Sequence, residues 1–168
     1  MSYQQHRDSA ADTQVRCAVV TLSDTRTPET DTSGVELSQH VKLAGHALID
    51  YRILKDDPAQ LTQHLKVLLA REDVDVILTN GGTGISRRDQ TIDAIQALIE
   101  KPLPGFGELF RLLSYKEIGS GAMLSRATAG ITNGKAIFAM PGSTAAVELA
   151  MTRLIVPELR HLVHQLRK

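Results

Sequence analysis

The chain has 168 residues, enough for one domain with its own core. Its 19 Lys+Arg equal its 19 Asp+Glu, so there is no general attraction to a phosphate backbone and nucleic acid is disfavoured as the main partner. Cys17 is the only cysteine, which excludes an internal disulfide and suits a reducing cytoplasm, and no apolar run approaches the roughly 20 residues of a membrane helix.

Residues 1–14, MSYQQHRDSAADTQ, lack the apolar core of a secretory signal and are expected to be a flexible tail ahead of one domain at 15–168. Arg16 to Leu22 is valine-rich and apolar, as in a central strand. The polar loop SDTRTPETDTS follows, with Ser33 expected to cap a helix that buries Val35, Val41 and Ala44 and ends near Gly45. Ala47 to Leu54 alternates like a strand, and Pro58 is placed to start a helix with the stripe Leu61, Leu65, Leu68 and Leu69. Val74 to Leu78 predicts a third strand, and Ile92, Ile95, Leu98 and Ile99 mark the next helix. KPLPGFG interrupts that helix, and Glu108 to Ile118 resumes helical periodicity. Leu124–Ile131 and Lys135–Met140 flank Asn133-Gly134, the signal of a strand pair. Pro141-Gly142-Ser143 opens a last helical stretch with a break expected at Pro157. Strands alternating with helices predict an α/β three-layer sandwich around a mostly parallel central sheet.

In such a sheet the parallel strands end at one edge, where ligands bind. The turns at Ser23-Asp24, Asp56-Asp57, Gly81 to Asp89 and Pro141 to Ser143 all follow predicted strands, so the fold would gather them. Gly81, Gly82, Thr83 and Gly84 stand between a strand and a helix, where backbone N–H groups and the helix N-terminus favour an anion such as phosphate. A tight structural turn accounts for the same glycines. The stretch is neither a Walker loop nor a GxGxxG turn.

A carboxylate beside a phosphate needs a cation between them, and Mg2+ takes both kinds of oxygen, so Asp89 and Asp56 form a candidate metal pair. Taken singly, each is an ordinary cap or turn residue. Arg87, Arg88 and Arg126 could hold phosphates in bidentate fashion, with one of the adjacent pair solvated. Ser23, Ser125 and Ser143 could donate hydroxyl hydrogen bonds or serve as caps, and Glu108 could be a first-turn helix residue or a polar site contact. His161 and His164 share a helical face, more in keeping with solvent than with metal, and Cys17 is expected to be inert core.

Together, TLSDTR at 21–26, TNGGTGISRRDQT at 79–91, PGFGELFRLLSYKEIGSGAMLSRA at 104–127 and AMPGSTAA at 139–146 resemble the MoaB/MogA family of molybdenum cofactor biosynthesis proteins, the MoaB branch most of all. The resemblance covers nearly everything from Val15 onward. It implies a molybdopterin-binding fold and, in active members, molybdopterin adenylyltransferase activity: AMP passes from ATP to the molybdopterin phosphate with Mg2+ present. It places the catalytic and metal-binding aspartates on Asp56 and Asp89, and the phosphate loop on Gly81 to Gly84. Further substrate contacts fall on Ser23, Asp24, Ser125, Arg126, Pro141, Gly142 and Ser143. Asn80 stands where a threonine is usual, and MPGS is the MoaB form. The resemblance also implies trimers or hexamers, with Phe106, Phe110 and Leu112 as candidate contacts, and partners among other molybdenum cofactor biosynthesis proteins. A non-catalytic molybdopterin-binding or assembly role is the alternative.

Overall fold

The computed structural model describes residues 2–168. Six strands, β1 (Arg16–Leu22), β2 (Ala47–Leu54), β3 (Val76–Asn80), β4 (Lys101–Pro102), β5 (Thr128–Thr132) and β6 (Lys135–Met140), form one sheet in the order β2-β1-β3-β6-β5-β4. The four strands β2, β1, β3 and β6 run parallel, and β5 and β4 close one side antiparallel. The expected mostly parallel sheet is present, and Asn133-Gly134 makes the β5–β6 turn with both residues at positive φ.

Alternate strand residues point into two separate cores, which makes the molecule three-layered. On one face Cys17, Val19, Val76, Leu78, Phe138 and Met140 meet α2 (Thr32–Leu43), α5 (Pro104–Ile118), α6 (Thr144–Ala150) and α7 (Val156–Leu166). On the other, Ala18, Val20, Leu22, Ile77 and Ile137 meet the leucine stripe of α3 (Pro58–Ala70) and Ile92 and Ile95 of α4 (Thr91–Leu98). Burial pushes the Cys17 thiol up to about 12, so it is a core residue without thiolate chemistry. No helix among the described residues is long and apolar enough to cross a membrane.

Several expectations change. The segment ahead of β1 was expected as a tail, but it contains α1 (Tyr3–Ser9), closed by a Ser2/Gln5 capping box. This helix rests on α7: the Tyr3 hydroxyl bonds Glu158, and Arg160 donates to the carbonyls of Ala11 and Thr13. The α2 cap is Asp31, whose carboxylate accepts from the Gly34 N–H at 3.0 Å, and the buried face uses Leu37 and Val41 while Val35 is exposed. β3 runs to Asn80 because its ladder with β6 continues to Met140. A 3₁₀ turn at Gly119–Leu124 replaces the start of the expected strand, so Ser125 and Arg126 lie in the connection before β5. α5 begins at Pro104, and the C-terminal stretch runs through a π turn at Met151–Ile155 into α7, whose first turn holds Pro157, a position where proline is tolerated. Phe106 and Phe110 are core residues against Phe138, which removes them as interface candidates; Leu112 is 52% exposed.

Candidate functional site

The chain leaves β1 for β2 on one side and then crosses to β3 on the other, so the sheet's connections diverge between the carboxyl ends of β1 and β3. A crevice forms at such a switch point. The loops after β1, β2, β3 and β6 meet there through specific bonds. The Ser23 N–H donates to the Leu54 carbonyl at 2.9 Å, and the Asp56 N–H donates to Asp24 Oδ1 at 3.2 Å. Asp24 Oδ2 takes Arg88 at 2.5 Å, and Lys55 Nζ donates to the Asp24 carbonyl at 2.9 Å. The Gly81 N–H donates to the Met140 carbonyl at 3.1 Å, tying the glycine loop to the strand that ends in the Pro141 turn.

Gly81 and Gly82 have φ of +90° and +61°, and a side chain on Gly81 would run into the Leu22 carbonyl. Only glycine lets the chain turn this close beside β1. The Gly82 carbonyl accepts the Thr91 N–H at 3.1 Å, which folds the loop back onto the first residue of α4. The N–H groups of Gly82, Thr83 and Gly84 have no acceptor among the described residues. They form the anion-seeking concavity expected of a strand-to-helix turn.

Asp56 lies beside this loop: a Cβ on Gly82 would sit 3.0 Å from its Oδ1, which is buried and without a hydrogen-bond partner among the described residues. Burial pushes the Asp56 carboxyl above the usual carboxylate range, and the negative charges of Asp24 and Asp89 push it the same way. An orphaned carboxylate oxygen among three acids is the donor chemistry that a hard cation satisfies. Asp89 is differently placed. Its Oδ2 accepts from Ser86 N–H at 3.0 Å and Ser86 Oγ at 2.5 Å, closing its own loop, while Gln90 occupies the cap position of α4 without a side-chain bond. No cluster of three or more His, Cys, Asp or Glu able to hold a metal occurs among the described residues, so a cation here would need ligand oxygens as well.

The remaining predicted residues divide. Arg126 reaches the site, donating to the Asp89 carbonyl at 3.4 Å and to Asp93 at 2.8 Å. Ser143 caps α6, accepting the Ala146 N–H at 3.2 Å, and Pro141 and Gly142 lead into it from β6. Thr83 is buried within the glycine loop. Arg87 and Arg88 are both exposed, and Arg88 is the one paired, with Asp24. Ser125 and Glu108 are not drawn in: Ser125 binds back to Ala122 through its N–H, and Glu108 is exposed on α5 outside the network joining the loops. His161 pairs with Glu158 at 3.0 Å on α7.

Sequence reasoning missed Arg26, Asp31 and Tyr51. Arg26 joins Asp31 at 3.2 Å, Ser33 Oγ at 2.8 Å and the Gly142 carbonyl at 2.9 Å. Tyr51 donates to Asp31 at 2.5 Å from β2. Burial alone would raise the Asp31 carboxyl, but bonds from Tyr51, Thr21, the Gly34 N–H and Arg26 outweigh it and hold the group below its ordinary range. Their partners lie up to 116 residues apart, so no local pattern marks them.

Residues 18–161 match the family model described as "Probable molybdopterin binding domain". Molybdenum cofactor biosynthesis protein B of Halalkalibacterium halodurans is 53% identical, over 100% of this chain and 99% of its own length. A crystal structure of a molybdenum cofactor biosynthesis protein B superposes with TM-score 0.90 at 54% identity, covering 92% of this chain and 97% of that one. The tungsten cofactor synthesizing protein MoaB from Pyrococcus furiosus gives TM-score 0.83 at 34% identity, over 92% and 98%. With the glycine loop, the paired aspartates and the PGS turn all at one sheet edge, this chain belongs to the MoaB family of molybdopterin-binding-domain proteins.

Proposed function

We propose that this protein acts in molybdenum cofactor biosynthesis as a molybdopterin adenylyltransferase. The observation that carries the reading is the unpartnered Asp56 Oδ1 beside the free N–H groups of Gly82 to Gly84. That juxtaposition suits two phosphates at once, one in the backbone cradle and one facing the carboxylates. A molybdopterin phosphate oxygen would attack the α-phosphorus of ATP, forming the new P–O bond as the α–β bond breaks and pyrophosphate leaves. The attacking oxygen is already ionised, so no general base is required, and positioning with charge neutralisation is the protein's task.

Mg2+ fits the donor set. Asp56 and Asp89 would hold it with nucleotide oxygens, and it would supply positive charge against the triphosphate. The cradle orients the acceptor phosphate, and Arg126 braces the loop that carries Asp89. Asp24 holds the Asp56 main chain. Self-assembly into trimers or hexamers belongs to the same reading, supported by the exposed Leu109, Leu112, Tyr115 and Ile118 on α5.

The test is formation of adenylylated molybdopterin from ATP, Mg2+ and molybdopterin. Asp89→Asn is expected to lower the rate by roughly 10²–10³-fold, the size seen when one electrostatic stabiliser is lost. The Asp89–Ser86 bonds favour one other reading, a non-catalytic molybdopterin-binding or assembly protein in which Asp89 only shapes its loop. Under it, Asp56→Asn binds molybdopterin as wild type does and neither protein consumes ATP.

A further inference from the structure

Two loops of the candidate site are joined from below by buried polar groups that the proposed chemistry does not itself use. Asn80, at the end of β3, is fully buried, and its Nδ2 donates to Thr21 Oγ1 at 2.9 Å. Thr21 Oγ1 and Asp31 Oδ2 both crowd the Cβ position of Gly34, at 2.7 and 2.1 Å, and the Asp31 side chain has no exposed surface. Asp31 carries Arg26, and Arg26 and Ser33 both donate to the Gly142 carbonyl, at 2.9 and 2.5 Å. Gly142 packs so closely on the glycine loop that a Cβ there would lie 3.1 Å from the Gly81 Cα. The carbonyl is therefore gripped from one side while the turn abuts the cradle on the other.

In a trans peptide the C=O of one residue and the N–H of the next point in opposite directions. Holding the Gly142 carbonyl toward Arg26 and Ser33 therefore directs the Ser143 N–H the opposite way. That N–H has no acceptor among the described residues. We infer that Arg26, with Ser33, is a positioning residue that aims the Ser143 N–H at the anionic group received by Gly82 to Gly84. The inference rests on the proposed phosphate cradle and adds a specific donor and the groups that orient it. Arg26 suits the task because its planar fork spans Asp31, Ser33 and the carbonyl together, which a lysine ammonium on a flexible stem does not reproduce. Asn80 and Thr21 lie beneath that network, with Asn80 Oδ1 3.9 Å from a Cβ on Gly142.

Amide chemical shifts of the full chain, followed while inorganic phosphate and then molybdopterin are added, test this directly. In wild type the Gly82, Thr83, Gly84 and Ser143 amides should shift together. In Arg26→Met the glycine-loop amides should still respond while Ser143 does not, and the Kd for molybdopterin should rise about tenfold or more, the loss of one charge-assisted hydrogen bond. Binding of Mg·ATP should change by less than about twofold, a split that general loosening of the fold does not produce. Ser33→Ala removes one bond to the same carbonyl, leaves Asp31 paired, and should give the same pattern at about twofold to fivefold. It carries the test if Arg26→Met does not fold. A Ser143 response in the variants equal to wild type overturns the positioning role alone. Wild-type Gly82–Gly84 amides that ignore both ligands overturn the cradle and the positioning role together.

Discussion

Asp56 keeps a carboxylate at a place where burial and the charges of Asp24 and Asp89 all oppose ionisation. A carboxyl whose folded pKa is raised contributes stability at low pH and loses it as pH rises through the folded value. At pH 7, without divalent cation, Asp56→Asn should therefore melt higher than wild type, and the gap should narrow as pH falls through the raised folded value, where the wild-type group protonates. The same variant should lose adenylyl transfer, the trade expected where a site stores unfavourable charge. A lower melting temperature for Asp56→Asn at pH 7 would contradict this electrostatic account. The two aspartates were legible in the sequence because each follows an apolar strand and stands near a helix start. Arg26 and Asp31 were not, since what defines them is a carbonyl on the other side of the sheet edge. Ser125 and Glu108 show the converse: a motif can lie near a site in the chain and still stand outside its bonding network.

At the scale of elements, the central strands were readable from composition, because strands covered on both faces are apolar throughout. β4 was not: two residues, one of them proline, carry no periodicity, and they pair with β5 only because α4 delivers them to that edge. The α1 helix was hidden by the polarity of its residues, which dock through Tyr3 and Arg160 and not through an apolar stripe. At the end of the sheet opposite the site, Asp75 binds elements distant in sequence, accepting from Arg16 of β1 at 2.9 and 3.0 Å and from Arg167 beyond α7 at 2.8 Å. Burial would raise its carboxyl, but Arg16 and then Arg167 hold it below the usual range. Asp75→Asn should cost about 1.5–3 kcal/mol at pH 7 in urea unfolding, the value of a charged hydrogen bond. Because the folded pKa is depressed, that difference should shrink as pH falls below about 3.9 and through the folded value. Activity should be unaffected at temperatures where the variant stays folded, since Asp75 lies away from the carboxyl ends of the strands.

For the whole molecule, the switch point between β1 and β3 explains why segments from residue 23 to residue 143 converge. Leu109, Leu112, Tyr115 and Ile118 on α5, with Met123 and Leu124 after it, are each at least half exposed, the apolar exposure that an interaction surface would use. Leu112→Lys should shift the protein to a smaller species in light scattering behind size exclusion while leaving its circular dichroism unchanged; an unaltered mass would remove α5 from the interface. If the sheet edge joins a nucleotide to a pterin phosphate, one quenched reaction reads it most directly. Wild-type protein is mixed with ATP, Mg2+ and one equivalent of molybdopterin, and the pterin and pyrophosphate are quantified. The account predicts one AMP on each molybdopterin and one pyrophosphate released for each; molybdopterin bound to the protein with ATP left intact would contradict it.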